Sequence, residues 1–168
     1  EEFKVGHLPV VSDQRLVGIV KDQDLVDRSD PRASVGAVMQ QVEVPFARGG
    51  QHIYEVMKLF SERGLTVVPV LDEMGRYLGC ITEHEALKRL SEVTNIHEIG
   101  SIVVLEMNQV DYSLFEIARL VEANSGKVLS VYTHTLPDSM RIEVTLKINR
   151  EDISDILRSF ERYEYFVK

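Results

Sequence analysis

A stretch near the start of the chain recurs about sixty residues later, and this repeat restricts the fold more than any other feature. The first copy reads His7-Leu8-Pro9-Val10-Val11, then Ser12-Asp13-Gln14, then Arg15-Leu16-Val17-Gly18-Ile19-Val20 and on through Lys21-Asp22-Gln23-Asp24. The second reads Val67-Val68-Pro69-Val70-Leu71, then Asp72-Glu73-Met74-Gly75, then Arg76-Tyr77-Leu78-Gly79-Cys80-Ile81 and on through Thr82-Glu83-His84-Glu85. Pro9 falls on Pro69, Gly18 on Gly79 and Asp24 on Glu85. The one extra residue sits in the turn, where a change of length costs least.

Each copy reads as a hairpin running into a helix. Residues 65–71 are a valine-rich buried strand, 72–75 a turn and 77–81 a second strand. Residues 83–91 put Ala86, Leu87 and Leu90 on one helical stripe. Residues 51–63 place Ile53, Val56, Met57 and Phe60 at helical spacing, and Gly64 stops that helix. A short strand is expected at 42–44. The complete unit is thus β-α-β-β-α. The first copy begins mid-unit, with residues 1–5 reading as the end of its missing helix.

From Ser101 the pattern changes. Strands are expected at 102–107, 127–135 and 141–148, the last with Ile142, Val144, Leu146 and Ile148 alternating. Leu114, Ile117, Ala118 and Val121 mark one helix face, and Ile153, Ile156, Leu157 and Phe160 another. Residues 164–167 begin a last strand. The order βαββαβ is the ferredoxin-like split arrangement, so the fold class is α+β with a first domain at 1–99 and a second at 100–168.

Composition permits this and narrows the function. Of the 168 residues, 44% are hydrophobic and 27% charged, enough to bury a core. The net charge is -8, and both domains are acidic, which argues against nucleic acid and against anionic membrane surfaces as partners. No apolar run approaches the ~20 residues of a membrane span. No secretory leader is visible, and the single cysteine, Cys80, allows no internal disulfide, so a reducing, cytoplasmic setting is expected. Cys80 itself, in an apolar strand, reads as a buried, inert thiol. No two of the five histidines pair at i,i+4 or flank cysteines, so no metal site is expected. No nucleophile–base signature appears either, so no catalytic residue is assigned and the protein is not expected to be an enzyme.

Residues 1–92 resemble a tandem pair of CBS domains, the Bateman module. The resemblance rests on the Leu-Pro-Val-Val and Val-Pro-Val-Leu strands, the Gly-Ile-Val-x-x-x-Asp and Gly-Cys-Ile-Thr-x-x-Glu turns, and Ser34-Val35-Gly36-Ala37-Val38-Met39 between the copies. Residues 101–168 are similar to an ACT-type regulatory domain, by element order. The combination resembles the CBS–ACT proteins labelled acetoin-utilisation proteins.

The resemblance implies a non-enzymatic regulatory protein, a homodimer, that binds an adenine nucleotide or related ligand between its CBS units. AMP, ATP and S-adenosylmethionine are the candidates, and no cofactor is required. It also implies site residues. Thr82 takes the place of the hydroxyl that reaches phosphate, and Glu85 that of the acid that holds ribose. In the first copy Asp24 matches the ribose acid, while Lys21 replaces the hydroxyl residue. Pro69 of the repeated strand is counted with them.

Simpler readings stand beside these. Thr82-x-x-Glu85 is also a capping box, which explains both residues without a ligand. Glu83 and Glu85 put negative charge where a phosphate belongs. The departures at Lys21 and Glu85 suit a structural interaction module whose ligand sites have decayed. In the second domain the loop 108–113 has no glycine, and Tyr112 adds bulk. That favours a packing or dimerisation domain over an amino-acid sensor. Ser113-x-x-Glu116 is a second expected capping box. The helix at 51–63 carries Leu59 beside its apolar stripe, so cover on more than one side is expected, which suits a homodimer.

Overall fold

Each copy of the repeat forms an antiparallel hairpin in the computed structural model, which describes residues 5–26, 34–37, 44–137 and 139–168. The first copy comprises β1 (His7–Ser12), β2 (Arg15–Lys21) and the short α1 (Asp22–Val26). The second comprises β3 (Ala47–Arg48), α2 (Ile53–Arg63), β4 (Val67–Leu71), β5 (Tyr77–Thr82) and α3 (Glu83–Val93). β3 lies parallel to β4, as a helical crossover requires, and β4 pairs antiparallel with β5. The register of each hairpin shifts at the same place, between Val10 and Val11 in one and between Val70 and Leu71 in the other. The repeat is therefore structural down to its irregularity.

The chain divides into two units, Glu1–Leu90 and Ser91–Lys168. In the first, the hairpins meet through equivalent residues. Arg15 forms an antiparallel bridge with Arg76, its own counterpart. Beside it the Tyr77 N–H donates to the Gln14 carbonyl at 2.7 Å. Contacts between like positions are the mark of a two-fold relation, here internal to one chain. The core joins Val56 and Phe60 of α2, Leu65, Val68 of β4 and Ala86 of α3, with Ile19 of the first copy packed on it. Burial of a side chain such as Val68 contributes about 1.5–3 kcal/mol. α2 ends where Gly64 adopts a left-handed φ of 59°, and the Gly64 N–H closes on the Phe60 carbonyl.

Several expectations change. The strand expected at 42–44 falls mostly outside the described residues; Val44 to Phe46 have no regular structure, and a short strand follows at Ala47–Arg48. Val42, Glu43, Val38, Met39 and residues 1–4 lie outside the described residues. Cys80 is exposed, not buried. A continuous apolar run does not say which face of a hairpin is covered, and in β5 the covered positions are the alternate ones. On α2, Ile53, Met57 and Leu59 are partly buried against the unit's own core.

The second unit orders β6 (Ser101–Asn108), α4 (Leu114–Ala123), β7 (Val128–Thr135), β8 (Arg141–Ile148), α5 (Ser154–Arg162) and β9 (Phe166–Val167). Its antiparallel sheet runs β7-β8-β6-β9, the split βαβ arrangement expected from the pattern. Val103, Leu105 and Met107 alternate inward on β6, as do Ile142, Val144, Leu146 and Ile148 on β8. They pack against Ile117, Leu120 and Val121 of α4 and Ile156 and Phe160 of α5. Gly100 enters this sheet with φ 151°, and a Cβ there would stand 2.0 Å from the Ile148 carbonyl oxygen. Only glycine fits. The box at Ser113 is half made. Its hydroxyl accepts from the Glu116 N–H at 3.4 Å, but the Glu116 carboxylate turns to Arg119 at 2.8 Å, a charge-assisted partner one turn on.

Candidate functional site

The first unit holds a cavity of about 450 Å³ between the two copies of the repeat. One wall comes from the first copy, with Gly6, His7, Ile19 and the Lys21–Gln23 corner where β2 turns into α1. The other comes from the second copy, with Val44 and Pro45 ahead of β3 and Arg63, Gly64 and Leu65 after α2. The two-fold contact of the hairpins brings these segments together. His7 and Lys21 are direct cross-strand partners, so they share one face of the hairpin. Arg63 adds a second fixed cation. Among the described residues neither Lys21 nor Arg63 forms an ion pair. Asp22 supplies an acceptor, and its carboxylate also takes the Gln23 N–H at 2.8 Å. The lining is thus one of two cations, an imidazole and one carboxylate.

The expected site residues separate. Lys21 lines this cavity. Asp24 lies half-buried in α1, outside the lining. Pro69 is fully buried in β4. Thr82 and Glu85 lie at the start of α3 and bond to each other. The Thr82 N–H donates to Glu85 Oε2 at 2.8 Å, the Thr82 hydroxyl donates to the same oxygen at 2.9 Å, and the Glu85 N–H donates to Thr82 Oγ1 at 3.2 Å. The capping box is complete. The Thr82 backbone N–H, then its hydroxyl, hold the Glu85 carboxyl below the usual glutamate range, with nearby His84 adding to the effect. A charged carboxylate therefore occupies the end of α3 where the resemblance would set a phosphate.

The cavity residues His7, Arg63, Gly64 and Pro45 escaped the sequence reading. They lie outside the repeated turns, His7 at the start of β1, Arg63 and Gly64 ahead of β4 and Pro45 ahead of β3, and only the meeting of the hairpins joins them. One signal was present: both repeated strands are preceded closely by a glycine, Gly6 and Gly64.

A second cleft, of about 490 Å³, lies in the second unit and is lined by Glu106, Asp111, Glu116, Glu164 and Arg141 among others. Glu106 is tied to Arg141 at 3.0 Å, and Asp111 accepts from the Asn108 amide at 2.9 Å. Tyr112 packs against the core and does not line this cleft. Among the described residues no cluster of three or more His, Cys, Asp or Glu is placed to hold a metal ion. No helix among them is long and apolar enough to cross a membrane.

A β-α-β-β-α unit set against a second hairpin that runs into a helix, with a cleft between the two, is the CBS arrangement, and the family comparison agrees. The CBS domain family model matches residues 1–30 and 35–92, more than half of the chain. The chain belongs to the CBS domain family. It is 35% identical over 95 residues to the magnesium transporter MgtE of Thermus thermophilus, covering 55% of this chain and 21% of that one. It is 26% identical over 138 residues to inosine-5'-monophosphate dehydrogenase of Bacillus subtilis, covering 79% and 28%. The crystal structure of the cytosolic domain of the Mg2+ channel MgtE in complex with ATP matches at 32% identity and a TM-score of 0.46, over 51% of this chain and 34% of that one. The chain spans less than a third of either curated relative.

Proposed function

We propose that this protein is a regulatory module that binds an adenine nucleotide or a related ligand in the cavity between its CBS copies. The observation that carries this reading is the cavity's lining. Lys21 and Arg63 come from opposite copies and line a space of about 450 Å³, a size within the range of small-molecule sites. A phosphate-bearing ligand satisfies both cations at once, and Asp22 offers an acceptor for ribose hydroxyls. A ligand that touches both copies favours the arrangement in which they close on it, and so converts its concentration into a change of shape. The protein is not an enzyme in this reading. Residues 1–99 form the sensor and 100–168 an ACT-type domain, in a cytoplasmic homodimer. Among the described residues no strand pairs with the outer edge of β7, and this supports dimerisation, since an open strand edge is a ready template for a second strand.

One site is proposed, not two. At the start of α3, Glu85 already takes the donors of Thr82, which favours the reading that the Thr82 cleft has lost its ligand. Calorimetry with AMP, ATP and S-adenosylmethionine tests the proposal. Binding that is weakened at least about tenfold by Lys21→Glu or Arg63→Glu, and little changed by Glu85→Ala, supports it. No heat with any of the three ligands defeats it.

A further inference from the structure

His7 stands at an unusual junction. The Thr66 backbone N–H donates to His7 Nδ1 at 3.3 Å. A backbone N–H only donates, so Nδ1 is an acceptor and carries no proton. The Thr66 hydroxyl lies 3.2 Å from the same nitrogen. That hydroxyl oxygen accepts from the Gly6 N–H at 2.8 Å, which leaves its own proton to point at Nδ1. Two donors from one threonine therefore converge on one ring nitrogen. In the neutral ring the proton then sits on Nε2, and the partner on the first nitrogen sets the chemistry of the second.

The ring also lines the cavity, directly across the strand pair from Lys21. The same pair in the second copy is Val67 opposite Thr82. One copy thus carries valine and a hydroxyl where the other carries imidazole and ammonium. The loss of a hydroxyl at Lys21 and the gain of a polar ring at His7 fall on one cross-strand pair.

We infer that His7 is a ligand-contacting residue of this cavity, with Thr66 as the positioning residue that holds it in the Nε2–H tautomer as a donor to a bound phosphate. The inference rests on the proposed nucleotide site. Lys21, Arg63 and His7 then make a donor set drawn from both copies. Because Thr66 belongs to the second copy and His7 to the first, the donor is aimed only while the copies stay in register.

The two amide variants separate the two ring nitrogens. His7→Asn keeps an acceptor at the δ position for Thr66 and removes the ε donor. His7→Gln keeps an ε donor and removes the δ acceptor. Calorimetry with ATP at pH 8 is expected to show His7→Asn binding about tenfold more weakly, at an unchanged melting temperature of the free protein. His7→Gln is expected to bind within about threefold of the unaltered protein and to melt lower. Nitrogen-15 spectra of the free protein are expected to show Nδ1 unprotonated and Nε2 protonated. Thr66→Val removes the hydroxyl but keeps the backbone N–H on Nδ1, so Nδ1 is expected to stay the unprotonated nitrogen in that variant and in Thr66→Ser alike. A protonated Nδ1 in the free protein overturns the assignment. So does ATP binding that His7→Asn leaves intact while the unaltered protein binds. If the unaltered protein binds none of ATP, AMP and S-adenosylmethionine although the tautomer is as stated, the nucleotide reading itself fails, and the ligand role of His7 falls with it.

Discussion

Gly6 and Thr66 occupy the same position in the two copies of the repeat, 60 residues apart, and they touch: the Gly6 N–H donates to the Thr66 hydroxyl at 2.8 Å. Arg15 and Arg76, another equivalent pair, touch as well. Two self-contacts define an axis, and the hairpins turn about it. Thr66 is half-buried there and serves Gly6 and His7 together.

Replacement of Thr66 by valine keeps the shape and the backbone donor to His7, and removes the hydroxyl that serves Gly6 and His7. The Gly6 N–H is left without its acceptor, which is expected to cost about 1–3 kcal/mol. Thr66→Ser is expected to recover most of it. Urea unfolding of the three proteins measures the difference, and equal midpoints for all three contradict the role given to the hydroxyl.

The capping box at α3 makes stability depend on pH in a stated direction. The folded state holds the Glu85 carboxyl below its ordinary range, chiefly through the Thr82 N–H. A carboxyl depressed by folding stabilises above its unfolded pKa, and that contribution is lost as pH falls through the folded value. Glu85→Gln is therefore expected to be less stable than the unaltered protein near about pH 7, with the gap closing as pH falls through the folded value. Loss of the whole box in Glu85→Ala is expected to cost about 1 kcal/mol. A gap between the two proteins that persists unchanged to the acid end rules this account out.

Cys80 is exposed on β5. It is expected to react with a thiol reagent in the folded protein, at one equivalent per chain and without denaturant. Burial, with Cys80 close by, pushes the Tyr77 hydroxyl up to about 12. In an alkaline titration followed by phenolate absorbance, Tyr77→Phe is expected to remove the last component to ionise. Labelling that waits for denaturant contradicts the placement of Cys80.

Gly100 has no room for a side chain, because its Cβ would fall 2.0 Å from the Ile148 carbonyl. Gly100→Ala is expected to destabilise the second unit by at least about 2 kcal/mol. Gly50, also at positive φ but with nothing within 4 Å of a built Cβ, provides the control. An alanine there carries the backbone strain alone and is expected to cost less. Equal effects at the two positions contradict the clash.

Pro9 and Pro69 with Gly18 and Gly79 made the hairpin pairing legible, because few residue types suit those positions and they recur together. The alternation of Ile142, Val144, Leu146 and Ile148 likewise told the covered face of β8. The face of β5 was not legible: Leu78 and Cys80 belong to an apolar run that looks the same from either side, and both are exposed. Lys21 was found because it interrupts a repeated turn. His7, Arg63 and Pro45 were not, because the cavity they line exists only once two hairpins meet, and no local spacing records that meeting.

The hairpin contact about Gly6 and Thr66 also bears on how such a cleft can diversify. In an assembly of identical chains a substitution beside a two-fold axis appears on both sides at once, so a favourable donor on one side brings a second copy of itself to the other. A tandem repeat escapes that doubling. Gly6 can give a proton where Thr66 receives it, and the pair His7–Lys21 can differ from Val67–Thr82 without disturbing the scaffold they share. Duplication within one chain thus turns a symmetric blueprint into a handed receptor, able to tell one end of an asymmetric ligand from the other.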